Sequence, residues 1–241
     1  MKAAARWLGG VLWCIGCMHA SGADSAAAQA AVEAVHGWYE TIGDGSDQDH
    51  LKEFGAVGEG LGPLLHAYEQ LAPVLQKRMD RDKFLAHFRG LAHMRLLQAH
   101  AVTASAQENS VEVFVEEERL MGIEGLAADT WFAGFITAVK TPDGWKISDL
   151  EGVKPENIFQ SLSEHPSWRN DAVAAAMDRI QCNDPEDCAV TRKSLPVNST
   201  ERMGRVTIQT GRRMETVWLA RLHDGEWVPV DTKTEPAGEP K

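Results

Sequence analysis

Four cysteines are all the chain has in 241 residues, and two of them, Cys14 and Cys17, lie in its apolar opening stretch. Cys182 and Cys188 remain, too few for a thiolate zinc site without nearby partners of suitable spacing. The sequence also has no H-E-x-x-H, no G-x-S-x-G and no G-x-x-x-x-G-K-[ST]. A helical zinc protease, a hydrolase elbow and a phosphate-cradling loop are therefore unsupported. Positive charge is short as well: 24 Lys and Arg stand against 35 Asp and Glu, a formal net charge of −11. Such a surface repels phosphate backbones and anionic lipid, which argues against nucleic-acid partners and electrostatic membrane adhesion. Nothing in the pattern calls for a metal or a cofactor.

What is present begins with "WLGGVLWCIGCMHASGAD", residues 7–24. A c-type haem attachment needs His directly after the second Cys, and here Met18 intervenes. Lys2 and Arg6 precede an apolar core, and Ser21-Gly22-Ala23 is a small-residue exit; together these describe a secretory signal peptide over residues 1–23. The run is shorter than the twenty or so apolar residues that span a bilayer. Ile15-Gly16-Cys17 offers a lipobox alternative in which Cys17 is acylated. The expectation is a bacterial envelope protein, periplasmic or secreted, whose membrane contact would come only through that lipid. In an oxidising compartment Cys182 and Cys188, spaced "CNDPEDC", are expected to form a disulfide closing a short turn.

Hydropathy patterning divides the rest. Residues 26–42 read as a helix with Ala31, Val35, Trp38 and Ile42 on one face, stopped by Gly43-Asp44-Gly45. Residues 63–79 are helical with a kink or restart at Pro73, and Asp80 caps "RDKFLAHFR", which Gly90 ends. The period then changes to two. Leu96, Gln98, His100 and Val102 are expected on one strand face; Val111, Val113 and Val115 alternate with Glu112, Phe114 and Glu116. "VEEER" reads as a solvated strand face available to a basic partner. In "TWFAGFITAVK", Trp131, Ala133 and Phe135 oppose Phe132, Ile136 and Ala138, so both faces are apolar and the strand is central. "TPDG" is a turn, and "WKISDL" the returning strand.

The opening helix "AAVEAVHGWYETI", the "RDKFLAHFR" helix, the strands around "ASAQENSVEV" and the run "WFAGFITAVKTPDGWKISDLEG" together resemble the nuclear transport factor 2-like superfamily, also called SnoaL-like or ketosteroid-isomerase-like. The resemblance spans about residues 26–155. It implies an α+β cone: helices packed on a curved antiparallel sheet, open at one end over an apolar pocket. Residues 24–155 are expected to form this domain. A second, small α+β unit over 156–232 would hold the disulfide, one helix capped by Asn170 or Asp171, and an antiparallel meander with a "HDG" hairpin turn. Residues 233–241, "KTEPAGEPK", read as a loose tail.

Within a cone, Trp38, Tyr39, Phe84, Phe88, Trp131, Phe135 and Trp145 are the candidates for lining an apolar pocket. The family's isomerases use a carboxylate base with hydrogen-bond donors to an enolate. Tyr39 suits the donor role, but the strand before "TPDG" lacks the carboxylate, so an enzyme would rest on Tyr39, His87 and Asp129. The leading expectation is a non-catalytic binding or assembly module for a small apolar molecule or another envelope protein, with the oligomeric state open and a dimer among the options. A ketosteroid-isomerase-type isomerase or dehydratase is one alternative, and an inhibitor of a basic partner another.

Overall fold

The computed structural model describes residues 22–46, 61–103, 105–123, 126–155, 170–182, 187–196 and 201–237. The export-signal reading up to residue 21, with Cys17, lies outside the described residues. So does the final stretch 238–241.

Helix α1, Gly22–Ser46, buries Ala31, Val35, Trp38 and Ile42, the face that helical spacing sets. It does not stop at Gly43. A Cβ there would stand 3.3 Å from the Met94 carbonyl oxygen, so glycine allows α1 to cross closely over the first strand. The cost of glycine in a helix, about 1 kcal/mol, is outweighed by that packing. Helix α2, Leu61–Glu69, and helix α3, Pro73–Arg78, are separated by a break. Ala72 is extended (φ −65, ψ 149), as a residue before proline must be. The groups freed by the break bond to a strand instead: Ala72 N–H donates to Ile147 O at 2.7 Å, and Ile147 N–H to Gln70 O at 3.2 Å. Helix α4, Arg81–His87, is capped by Asp80, whose side chain accepts from Lys83 N–H at 2.9 Å. Gly90, at φ +80, follows it.

Strands β1 (Leu91–Ala101), β2 (Ser110–Ile123), β3 (Leu126–Thr141) and β4 (Gly144–Asp149) form an antiparallel sheet in that order, and short β5 (Lys154–Pro155) pairs with β3. One face packs on α1–α4 through Val111, Val113, Val115, Ile136, Ala138 and Ile147. The expected single face of Leu96, Gln98 and His100 is divided by a register shift between Leu96 and Gln98. Met94 and Leu96 before it, and Ala99 and Ala101 after it, all pack on the helices. Gln98, bonded to His100, turns the other way. One extra residue in a strand inverts the alternation beyond it, and composition gives no warning of that.

Helix α5, Ala172–Arg179, is capped by Asp171, which accepts from Val173 N–H at 2.8 Å. It lies on a second antiparallel sheet, β6 (Cys188–Ser194), β7 (Met203–Thr210), β8 (Arg213–Arg221) and β9 (Trp227–Pro236), in sequence order. Ala172, Ala175 and Ala176 are small enough to let α5 settle on Val206, Ile208, Val217 and Leu219. Cys182 and Cys188 lie at disulfide distance, with Cα atoms 6.5 Å apart. β9 runs four residues into the segment expected as a tail. Thr234 pairs with Glu215, and its hydroxyl donates to the Glu215 carboxylate at 2.5 Å. Backbone pairing along β8 overrides the polar composition there.

The fold is therefore α+β, with two antiparallel sheets and few helices. The two sheets meet face to face: Phe114 of β2 is buried against Ala220, Leu222 and Val230, with Phe135, Met203, Trp218 and Val228 around them. Among the described residues no helix is long and apolar enough to cross a membrane.

Candidate functional site

The alternation of β2 builds the site. Val111, Val113 and Val115 face the helices, and period two continues to Glu117 and Arg119 on that same side. Glu117 is 1 % exposed and Arg119 9 %. Being two apart on one strand face, they are neighbours: Arg119 Nε donates to Glu117 Oε1 at 2.5 Å, and the guanidinium Nη2 contacts the same oxygen. The guanidinium also lies over the Phe132 ring, 4.3 Å from its centroid. Glu117 Oε2 is buried and has no hydrogen-bond partner among the described residues.

This pair forms the polar wall of a cavity of about 260 Å³. Helix α1 contributes Trp38 and Tyr39, α3 Leu75 and Arg78, the end of α4 His87 and Phe88, and the segment after β4 Leu150, Glu151 and Val153. Trp38 is fixed by its indole N–H, which donates to Ala67 O at 3.1 Å. Trp38, Tyr39 and Phe88 meet edge to face, the arrangement aromatic quadrupoles favour.

Burial and charge set the titration of this wall. Burial lifts the Glu117 carboxyl above the usual carboxylate range, against the pull of the Arg119 charge. Tyr39 interacts with the same carboxylate. Its phenol is held well above its ordinary pKa by burial first, and then by the Glu117 charge. His87 is pushed down, mainly by desolvation and secondly by Arg119, so the neutral imidazole is favoured. The site thus offers a hydrogen-bond acceptor, a phenolic donor and a neutral imidazole at the edge of an aromatic cavity.

Of the residues singled out in the sequence, Trp38, Tyr39, Phe88 and His87 line this cavity together. Phe84 is fully buried beneath it, with its ring 5.0 Å from Phe88. Trp145 packs against the same core. Asp129 is exposed on β3, opposite Leu120. Trp131 and Phe135 lie on the opposite sheet face: Phe135 packs on Phe114, and Trp131 stacks on His223, ring centroids 4.3 Å apart and 10° from parallel. Sequence reasoning missed Glu117 and Arg119, which the "VEEER" charge run disguised as a solvated face. The signal was there in the unbroken alternation from Val111.

The other two glutamates of the run have different fates. Glu118 pairs with Arg95 at 2.7 Å on a more exposed face. Glu116, 0 % exposed, is the polar centre of the sheet–sheet contact. It accepts from Gln98 Nε2 at 2.5 Å, Arg202 Nη1 at 2.9 Å and His223 N–H at 2.7 Å, with His223 Nδ1 at 3.2 Å. Among the described residues no group of three or more His, Cys, Asp or Glu side chains could hold a metal. No protein-family model, curated protein or solved structure matches this chain.

Proposed function

We propose that residues 24–155 form the cone that the sequence resembles in the nuclear transport factor 2-like superfamily, and that the Glu117 cavity binds a small, mostly apolar molecule carrying one hydrogen-bond donor. The observation behind this reading is the carboxylate of buried Glu117 in an aromatic cavity, its Oε1 taken by Arg119, its Oε2 without a partner among the described residues and the Tyr39 phenol beside it. A buried carboxylate oxygen without a partner costs free energy that a ligand O–H or N–H would recover. The volume, about 260 Å³, lies just under the range of about 300–1,000 Å³ typical of ligand pockets. It suits a one- or two-ring compound and not a drug-sized one. The test is calorimetric titration with 2-naphthol, whose hydroxyl is the donor and whose rings match the aromatic wall. Wild-type protein is expected to bind, and Glu117→Gln at least tenfold more weakly. Equal affinity of the two refutes the reading.

A second reading rests on a separate observation, the opposed titration shifts of Glu117 and His87 beside Tyr39. Groups perturbed in this way suit general acid–base work near neutral pH. On this reading Glu117 moves a proton α to a carbonyl while the Tyr39 hydroxyl donates to the enolate oxygen. Conversion of cyclohex-3-enone to its conjugated isomer, followed by ultraviolet absorbance, tests it. A rate equal to that of Glu117→Gln leaves a carrier, not an isomerase.

A further inference from the structure

A second cavity, of about 350 Å³, lies where the two sheets separate. Its walls come from distant parts of the chain: Glu112 of β2 and Phe135 of β3 on one side, β9 from Pro229 to Thr232 on the other, and Arg179 at the end of α5. β9 presents four consecutive residues to it because the β8–β9 register shifts between Trp218 and Leu219, leaving Val230 unpaired opposite them. Bulges of this kind re-aim side chains and recur beside binding sites. The walls are held in place by Asp231, whose Oδ2 accepts from Thr103 N–H at 2.8 Å and the Thr103 hydroxyl at 2.6 Å, while Oδ1 accepts from Thr232 N–H at 2.8 Å.

Three charged residues line this cavity: Asp231, already bonded to Thr103 and Thr232, and two of opposite sign, Glu112 partly buried and Arg179 exposed. Among the described residues the latter two form no ion pair with each other or with any other group. The hydroxyl oxygen of Thr232 is buried in the same wall without a hydrogen-bond partner among the described residues. Phe135 and Val230 give the cavity its apolar patch. An unmatched carboxylate, an unmatched guanidinium, a spare hydroxyl and an apolar patch complement a molecule with an ammonium, a carboxylate and a hydrocarbon side chain. Guanidinium suits the carboxylate in particular, because its planar fork can bind both oxygens.

We propose that this inter-sheet cavity is a binding site for a small zwitterion, an α-amino acid with an apolar side chain. The ammonium pairs with Glu112, the carboxylate with Arg179, and the side chain rests on Phe135 and Val230. The site is separate from the Glu117 cavity and does not depend on that cavity's function. Calorimetric titration of the full chain with L-leucine, 4-methylpentanoate and isoamylamine compares the zwitterion with each half of its charge. L-leucine is expected to bind at least tenfold more tightly than either single-charge analogue. Glu112→Gln and Arg179→Gln should each weaken leucine at least tenfold, and Glu112→Gln should not weaken the carboxylate-only analogue. In the unaltered protein, leucine should shift the methyl resonances of Val230 and Thr232, which locates the site without any substitution. No binding, equal binding of the three probes, or methyl shifts confined to the Glu117 cavity would overturn the proposal.

Discussion

Replacing Glu116 by Ala should loosen the contact between the two sheets more than any other single substitution in it. The carboxylate is wholly buried and satisfies Gln98, Arg202 and the backbone N–H of His223 together. Its loss takes the acceptor of the His223 N–H, at about 1–3 kcal/mol for an unsatisfied buried group, and one of two acceptors of the Gln98 amide, which keeps its bond to Arg221 O at 3.1 Å. Arg202, about a third exposed on its side chain, can turn partly to water, so its share is smaller. Breaking a buried charge pair from one side typically costs about 3–5 kcal/mol, and the sum falls in that range. For a chain of this size each kcal/mol moves Tm by about 2–4 °C, so a fall of about 6–20 °C is expected. Urea unfolding followed by tryptophan fluorescence is the assay, since Trp131 stacked on His223 reports on this contact directly. Glu116→Leu combined with Arg202→Met should recover much of the loss, because an apolar pair leaves fewer buried groups unmatched. A loss under about 1 kcal/mol for Glu116→Ala, measured against that range, refutes the view that this cluster holds the sheets together.

Three further outcomes follow from other parts of the fold. His100 is partly buried, and its pKa is lowered to about 4, by burial first and the charge of His36 second. A depressed histidine favours the neutral form in the folded state, so its contribution is present above the unfolded value and is lost as pH falls towards the folded one. Between pH 6.5 and 4 wild type should lose roughly 3 kcal/mol more than His100→Asn, at about 1.4 kcal/mol per unit, and parallel urea curves would contradict this. Gly134 approaches the Gly152 backbone so closely that a Cβ would overlap its carbonyl oxygen; Gly134→Ala should cost about 1–3 kcal/mol in thermal unfolding, whereas an unchanged Tm would show that the segment after β4 gives way. On the proposed reading, with ionised Glu117 as the acceptor for 2-naphthol, affinity should fall as pH is lowered through its raised pKa, a slope that Glu117→Gln should abolish.

Helix positions, strand positions and turns could be read from the chain because local physics sets them. Pro73 restarts a helix wherever it stands, Asp80 and Asp171 cap by their own side chains, and glycines at φ +110 in Gly144 and +93 in Gly225 fit their turns. Trp38, Tyr39, His87 and Phe88 were recognisable as aromatic or titratable residues on facing amphipathic elements, and they do line one cavity. Glu117 and Arg119 were not recognised, since adjacent charges look solvated until something covers their face. Trp131 and Phe135 were correctly placed on one side of β3, but which side faces the helices cannot be taken from alternation alone.

The amino-acid sequence by itself determined the α+β class, the order of elements and, where no bulge intervenes, the alternation of faces along a strand, because period, capping and turn chemistry act over a few residues. The tertiary structure alone decided that three consecutive glutamates would serve a cavity wall, a sheet–sheet contact and a surface ion pair. It also decided that a bulge in β1 and another in β9 would turn side chains toward new neighbours. The reason is physical: whether a charge is solvated, paired or left without a partner depends on groups brought together from more than 100 residues away, as His223 is to Glu116 across 107, and no local pattern encodes that meeting.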